Sequence, residues 1–226
     1  MNVFIDCGTN LFQGLTSFHQ RLHFDRNWKI YCFEANPETF AAASKKIPQW
    51  LRPLDLQFRN EAVSIRAGTT TVNCASNDDS CMQYYDGVYW KNFLRRAFGK
   101  ARRVLGVSPH TNQGSNILAT PPANVDGHVF RYRKHEVPTM RLSDLVLQVA
   151  REQQPATIVV KLDIEGAEFE VLPDLFASQA AARISELYVE FHERFFVGQE
   201  TRYAELRRTL VEKAGHYKSL KLHEWH

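Results

Sequence analysis

The chain has 226 residues, 44% hydrophobic and 23% charged, which suits one α/β domain with a full core and excludes a disordered chain. A net charge of +3 is too small to indicate a nucleic-acid partner by itself, and no apolar run reaches membrane-spanning length. Cys7, Cys32, Cys74 and Cys81 lack metal-ligand or CxxC spacing and read as reduced core residues. With a first strand this close to Met1, no leader peptide is expected, and the location read from these features is cytoplasmic.

Residues 3–5 form a short apolar run that predicts a buried strand. Asp6-Cys7-Gly8-Thr9-Asn10-Leu11-Phe12-Gln13-Gly14 follows, then a helix with Leu15, Phe18 and Leu22 on its apolar face. Strand, glycine turn and helix together bring backbone N–H groups toward a ligand. Only Gly8 and Gly14 are present, short of a dinucleotide fingerprint, so a nicotinamide dehydrogenase is not indicated.

Residues 29–33 predict the second strand, ending in Glu34-Ala35-Asn36-Pro37. An acid about 20 residues past a glycine turn is placed to bind ribose hydroxyls; the alternative is a surface glutamate. Pro37 opens a helix whose predicted buried face is Phe40, Ala41 and Ile47. Residues 54–58 alternate as a third strand, after which Asn60 or Glu61 stands where an adenine amino group could bind, and Ala62 leaves room for its ring. Residues 69–75 are β-like and suggest a hairpin with that strand.

Residues 65–139 do not fit a simple βαβ crossover, and 83–125 within them read as a cap or acceptor-binding insertion. Lys91, Arg95, Arg96, Lys100, Arg102 and Arg103 form a basic run without acids, either a solvated helix face or a cap for an anionic acceptor or membrane surface. Residues 129–137 predict a strand, and a helix follows from about 142 to 153 with Leu142, Leu145, Val146 and Val149 inward.

Residues 158–172 organise the rest. A β-branched run ends in Asp163, Glu165, Gly166 and Glu168, and a helix follows to Ala182 with a break expected at Pro173. In an open α/β sheet ligands bind beyond the carboxyl ends of the strands, where these acids stand. A strand over 184–191 ends near His192, a helix spans 201–214, and a last strand lies within 217–225. The first strand and the 158–162 strand are expected to be neighbours, so that Asp6, Glu34, Glu61, Asp163 and His192 converge along one sheet edge.

Five motifs occur in order: Phe4-Ile5-Asp6-Cys7-Gly8-Thr9-Asn10, Phe33-Glu34-Ala35-Asn36-Pro37, Asn60-Glu61-Ala62-Val63-Ser64, Val137-Pro138-Thr139-Met140-Arg141-Leu142-Ser143-Asp144-Leu145 and Lys161-Leu162-Asp163-Ile164-Glu165-Gly166-Ala167-Glu168. Together they resemble the FkbM-type methyltransferases, class I enzymes that use S-adenosylmethionine. The resemblance implies an α/β, Rossmann-like class I methyltransferase sheet, mostly parallel, with helices on both faces. It implies one domain over 1–226, with the basic helical or loop insertion at 83–125 private to this chain. The implied reaction is methyl transfer to a hydroxyl of a saccharide, polysaccharide or related natural product.

Carried over by position, Asp6, Gly8, Thr9 and Asn10 would hold the methionine part of S-adenosylmethionine. Glu34, with Ala35 and Asn36, would bind the ribose, and Glu61 and Ala62 would border the adenine. Asp163 would lie near the sulfonium. Gly114-Ser115-Asn116 resembles a loop near the cofactor. His192 is the first candidate for the base that deprotonates the acceptor, ahead of Asp163 and Glu165. Their residue types are compatible with a divalent ion, but nothing in their spacing demands one, and no metal is expected. Phe12 stands where the family usually has glycine, which implies an altered turn. After the last helix the carboxyl end has room for one strand, so the closing antiparallel pair is expected to be incomplete. A small-molecule or glycan acceptor is the expected partner, anionic if the basic run serves it. The alternatives are nucleic-acid methylation and a cofactor-binding scaffold without catalysis.

Overall fold

The computed structural model describes residues 1–75, 116–118, 124–125, 128–129 and 132–225. The basic run over 91–103, Cys81, His110, Gly114 and Ser115 lie outside the described residues.

The main sheet grows from apolar runs that alternate between two cores. β1 (Asn2–Cys7), β2 (Trp28–Phe33) and β3 (Asp55–Arg59) pair in parallel. Val3, Ile5 and Cys7 face one core, while Phe4 faces the other with Ile30 and Cys32. Burial on both faces is what continuous β-branched and aromatic strands of a parallel sheet require. Helix α1 (Gln13–Leu22) covers the second face with Leu15 and Phe18, and α2 (Pro37–Ser44) adds Ala43. The buried face of α2 is Thr39 and Ala43; Phe40 is half-buried against Phe58, and Ala41 is exposed rather than inward.

Four strands follow, β4 (Ala62–Ser64), β5 (Gly68–Ala75) and the two of the β6 (Asn124–Val125) to β7 (His128–Val129) ribbon. The long β8 (Tyr132–Arg141) takes β4 in parallel and β5 antiparallel, forming a second sheet in the order β4-β8-β5. Residues 69–75 therefore pair with a distant strand, not with β3. Helix α3 (Leu142–Gln153) then packs Leu142, Val146 and Val149 into the first core.

β9 (Thr157–Leu162) inserts beside β1, and the strand order becomes β11-β10-β9-β1-β2-β3 with β10 (Glu186–Val189) and β11 (Lys221–Glu224). All five pairings in this sheet are parallel, including β10 with β11. Between β9 and β10 lies α4 (Glu168–Ala177), and α5 (Glu200–Ala214) precedes β11. Both cover the same face as α3. Pro173 sits inside α4 without breaking it: burial of Val171, Leu172, Leu175 and Phe176 outweighs one missing N–H donor, and the helix ends at Ala177, not Ala182.

This order puts the topological switch point between β1 and β9, the place where an open α/β sheet takes its ligands. Register fixes the rest. Cys7 is level with Phe33 and Leu162, and Leu162 is level with Val189. Gly8, Glu34, Asp163 and Glu190 each come one residue later, so four strand ends open on one line.

Candidate active site

Beyond those strand ends lies an open cleft of about 630 Å³, including its mouth, within the ~300–1,000 Å³ range usual for cofactor sites. Gly8, Asn10, Glu34, Ala35, Glu61 and Ala62 line one side; Asp163, Ile164 and Glu165 line the other. Phe33, Thr39, Val63, Asn116 and Ile117 complete the wall, none of them except Asn116 singled out by the sequence. Asn116 reaches the wall because it bridges to Asn73 on β5, with N–H···O distances of 2.7 and 3.0 Å.

The β1 and β2 ends are shaped by backbone groups. Gly8 has φ +85°, and a Cβ there would lie 1.8 Å from the carbonyl oxygen of Asp163, so the two strand ends can meet only through glycine. Glu34 turns back across the next loop: Oε2 accepts the N–H of Asn10 at 2.8 Å and Oε1 that of Asn36 at 2.8 Å. Asn60 Nδ2 donates to the carbonyl oxygens of Glu34 and Ala35 and fixes the turn from below. Burial pushes the Glu34 carboxyl up to about 7, against the lowering effect of those two N–H groups. Asn10 Oδ1 is buried and has no hydrogen-bond partner among the described residues.

Phe12 keeps the left-handed conformation, φ 64° and ψ 17°, that a glycine would adopt more cheaply. Its ring leaves the cleft and packs against Phe58, with centroids 5.0 Å apart. Buried aromatic area offsets the backbone cost of this position.

The β9 and β10 ends are shaped by charge. Lys161, almost fully buried, points under the β1–α1 loop, where Gly14 leaves room for it. Its ammonium donates to the Gly8 carbonyl at 3.0 Å and lies 3.2 Å from Asp6 Oδ1 and 3.1 Å from Asp163 Oδ2. Burial works against the Lys161 charge, but the two carboxylates outweigh it and hold the group protonated.

His192 follows β10 and is 2% exposed. Its Nδ1–H donates to Glu168 Oε1 at 2.7 Å. Glu168 also accepts the N–H groups of Ile164 and Gly166, at 3.1 and 2.8 Å, and so ties the β9–α4 loop to the imidazole. The other ring nitrogen, Nε2, lies 3.4 Å from Glu165 Oε2, 3.6 Å from Glu190 Oε1 and 3.7 Å from Asp163 Oδ1. Burial alone would lower the imidazole pKa; Glu168, then Glu165 and Asp163, raise it to about 9. Glu165 is held at φ 55°, a left-handed position strained for a residue with a side chain.

Four of the sequence-assigned residues turn inward. Asp6 is fully buried on Lys161, and Thr9 donates its hydroxyl to the Asp6 carbonyl at 3.2 Å. Asn36 Oδ1 caps α2, accepting from Glu38 and Thr39 N–H groups. None of these lines the cleft, and each is engaged in shaping a loop. His192 is likewise off the cleft wall, and the carboxylates around it favour the protonated ring, which disfavours the role of base expected for it.

The expectation of no metal set also changes. Asp163, Glu165 and His192 bring one donor atom each within 4.8 Å of one another, although they come from the ends of two different strands. Lys161, Glu168 and Glu190, which complete this centre, carry no local signal of their roles. The triplet Lys-x-Asp-x-Glu at the end of a buried strand is the one sequence cue that points there.

No helix among the described residues is long and apolar enough to cross a membrane. Neither a curated protein nor a solved structure matches the chain. Residues 6–218 match the Methyltransferase FkbM domain, which covers nearly the whole chain and all five strand ends of the site. The protein therefore belongs to the FkbM methyltransferase family and is a methyltransferase.

Proposed function

We propose that this methyltransferase transfers a methyl group from S-adenosylmethionine to a hydroxyl oxygen of a saccharide, polysaccharide or related natural product. The observation that carries the reading is the cleft at the switch point, with Glu34 on one wall and Asp163 and Glu165 on the other. The residues fit the cofactor. Glu34 offers a buried carboxylate for two ribose hydroxyls, Asn10 a buried oxygen without a hydrogen-bond partner among the described residues, and Gly8 a backbone that a ligand can approach closely. Ala62 and Val63 give a flat apolar wall for an adenine ring, with Glu61 at its edge. The acid-rich wall complements a cation, and Asp163 is the group nearest to where the sulfonium would be stabilised.

When bound, S-adenosylmethionine supplies a methyl group already activated by positive sulfur, so alignment is the main demand on the protein. The β1–β2 loops hold the cofactor and the β9–β10 loops meet the acceptor. Asp163 and Glu165 accept the hydrogen bond of the incoming hydroxyl and take its proton as the new carbon–oxygen bond forms. His192 and Lys161 keep these carboxylates in place. A reducing compartment belongs to the same reading, because Cys7 and Cys32 are free buried thiols.

Calorimetric titration with S-adenosylmethionine, followed by methyl release onto a panel of glycans and polyols, tests the proposal. Tight binding with release onto a hydroxyl acceptor supports it. Binding without transfer to any acceptor removes the enzymatic part for this class, and no binding removes the cofactor assignment.

A further inference from the structure

The acid wall of the cleft has a second property that methyl transfer does not require. Among the described residues, Asp6, Asp163, Glu165, Glu168 and Glu190 gather around Lys161 and His192. Four of them stand around one imidazole, and Asp163, Glu165 and His192 bring their donor atoms close enough together to hold a cation.

The distances carry the argument further. His192 Nε2 stands 3.4, 3.6 and 3.7 Å from three carboxylate oxygens that arrive from β9 and β10. Each is longer than a charge-assisted hydrogen bond, about 2.7–2.9 Å. They lie at or just above the edge of a coordination shell: with bonds of about 2.1 Å, neighbouring donors stand about 3.0 Å apart in an octahedron and about 3.4 Å in a tetrahedron. The imidazole is also fixed from behind. Glu168, fully buried, takes Nδ1–H at 2.7 Å and is itself held by two backbone N–H groups. That is the carboxylate–histidine arrangement that orients a metal-ligating ring and leaves Nε2 as the ligand.

We infer that Asp163, Glu165 and His192, with Glu190 beside them, form a binding site for one divalent cation, oriented by Glu168. One imidazole with several carboxylates suits a cation of the Mn²⁺ class, and oxygen-preferring Mg²⁺ is its chemical neighbour. Binding displaces the Nε2 proton, as at any histidine ligand. Because Asp163 and Glu165 face the cleft, a cation there reaches the acceptor side of the site and lowers the pKa of a hydroxyl that meets it. That role rests on the methyltransferase reading above; the existence of the site does not.

The test uses the full chain, stripped with a chelator and titrated with Mn²⁺ alone, followed by the loss of the free-ion paramagnetic resonance signal. One Mn²⁺ per chain is expected, with nitrogen coupling from an imidazole. Glu165→Gln and Glu168→Gln should each weaken uptake by about tenfold or more, and His192→Gln should abolish the nitrogen coupling. Glu186→Gln, on β10 but bonded to Tyr188 at its far end, should bind as wild type. Melting curves identify any variant that fails to fold, and Glu165→Gln, at a half-exposed loop position, provides the readout if His192→Gln does not survive. No uptake at millimolar Mn²⁺, or equal uptake by folded Glu165→Gln, overturns the inference. S-adenosylmethionine titration in chelator tests the cofactor reading separately, so either can fail alone.

Discussion

Two buried glutamates, one on each half of the sheet, solve the same problem in different ways. Glu34 ends β2 and Glu168 opens α4; each accepts two backbone N–H groups and so ties down the loop that follows a strand. Glu34 has no ion pair among the described residues, and burial lifts it to about 7. Glu168 has His192 as a charged partner at 2.7 Å. The β1–β2 half is thus a cradle of backbone groups around a carboxylate without a charged partner of its own, which suits a neutral diol. The β9–β10 half is a compensated ionic centre, which suits an ionic ligand or a proton transfer. A single fold places both at the same level because strand register aligns Cys7, Phe33, Leu162 and Val189.

The largest expected effect comes from breaking the joint between the halves. Lys161→Met leaves the buried Asp6 and the cleft-facing Asp163 without their cation, and urea denaturation should show a loss of about 3–5 kcal/mol. A smaller loss would mean that Asp6 takes up a proton at little cost. Glu34→Ala should weaken S-adenosylmethionine binding by about 1–3 kcal/mol in calorimetry. Because Glu34 also serves Asn10 and Asn36, the melting temperature of the empty protein should fall with it. Mn²⁺ uptake in the other half should not change.

The third effect follows from the Glu34 titration. A ribose hydroxyl needs an ionised acceptor, and the folded carboxyl is pushed up to about 7. Cofactor affinity should therefore be about tenfold weaker at pH 6 than at pH 8, with proton release on binding near neutrality. The linkage has the opposite sign for the empty fold. Stability from a raised carboxyl is full below its unfolded value of 4.5 and is lost as pH rises through about 7. An affinity independent of pH in that window, measured by calorimetry in two buffers, would detach Glu34 from the cofactor. The smallest effect concerns strain. Glu165→Asn puts a residue that tolerates left-handed φ where a glutamate is held at 55°. Thermal melts should show no loss, or a gain of up to about 1 kcal/mol, while methyl transfer drops.

Much of the β1–β2 half was legible in the sequence. Glycine turn, acid at the next strand end and proline-opened helix are local patterns, and each leads to Gly8, Glu34 and Pro37 where the structure has them. What sequence could not show is which polar groups turn inward. Asp6, Thr9 and Asn36 belong to the right motif but are consumed by Lys161, a backbone carbonyl and a helix end. The β9–β10 half was legible only as a run of acids. The state of His192 depends on four carboxylates from three segments, and no spacing along the chain reports that. The β4-β8-β5 sheet was missed for a similar reason: β5 and β8 lie more than fifty residues apart, and antiparallel pairing at that range leaves no local pattern. Pro173 misled because a local rule was overridden by the four buried side chains around it.

The central claim is that the cofactor lies at the switch point between β1 and β9, with its ribose on Glu34 and its sulfur toward the acid wall. A crystal structure with S-adenosylhomocysteine tests this most directly. The account predicts both ribose hydroxyls within hydrogen-bond distance of the Glu34 carboxylate, the adenine against Ala62 and Val63, and the sulfur facing Asp163 and Glu165. Electron density for the ligand anywhere else, or in the cleft with Glu34 still turned only to Asn10 and Asn36, would contradict it.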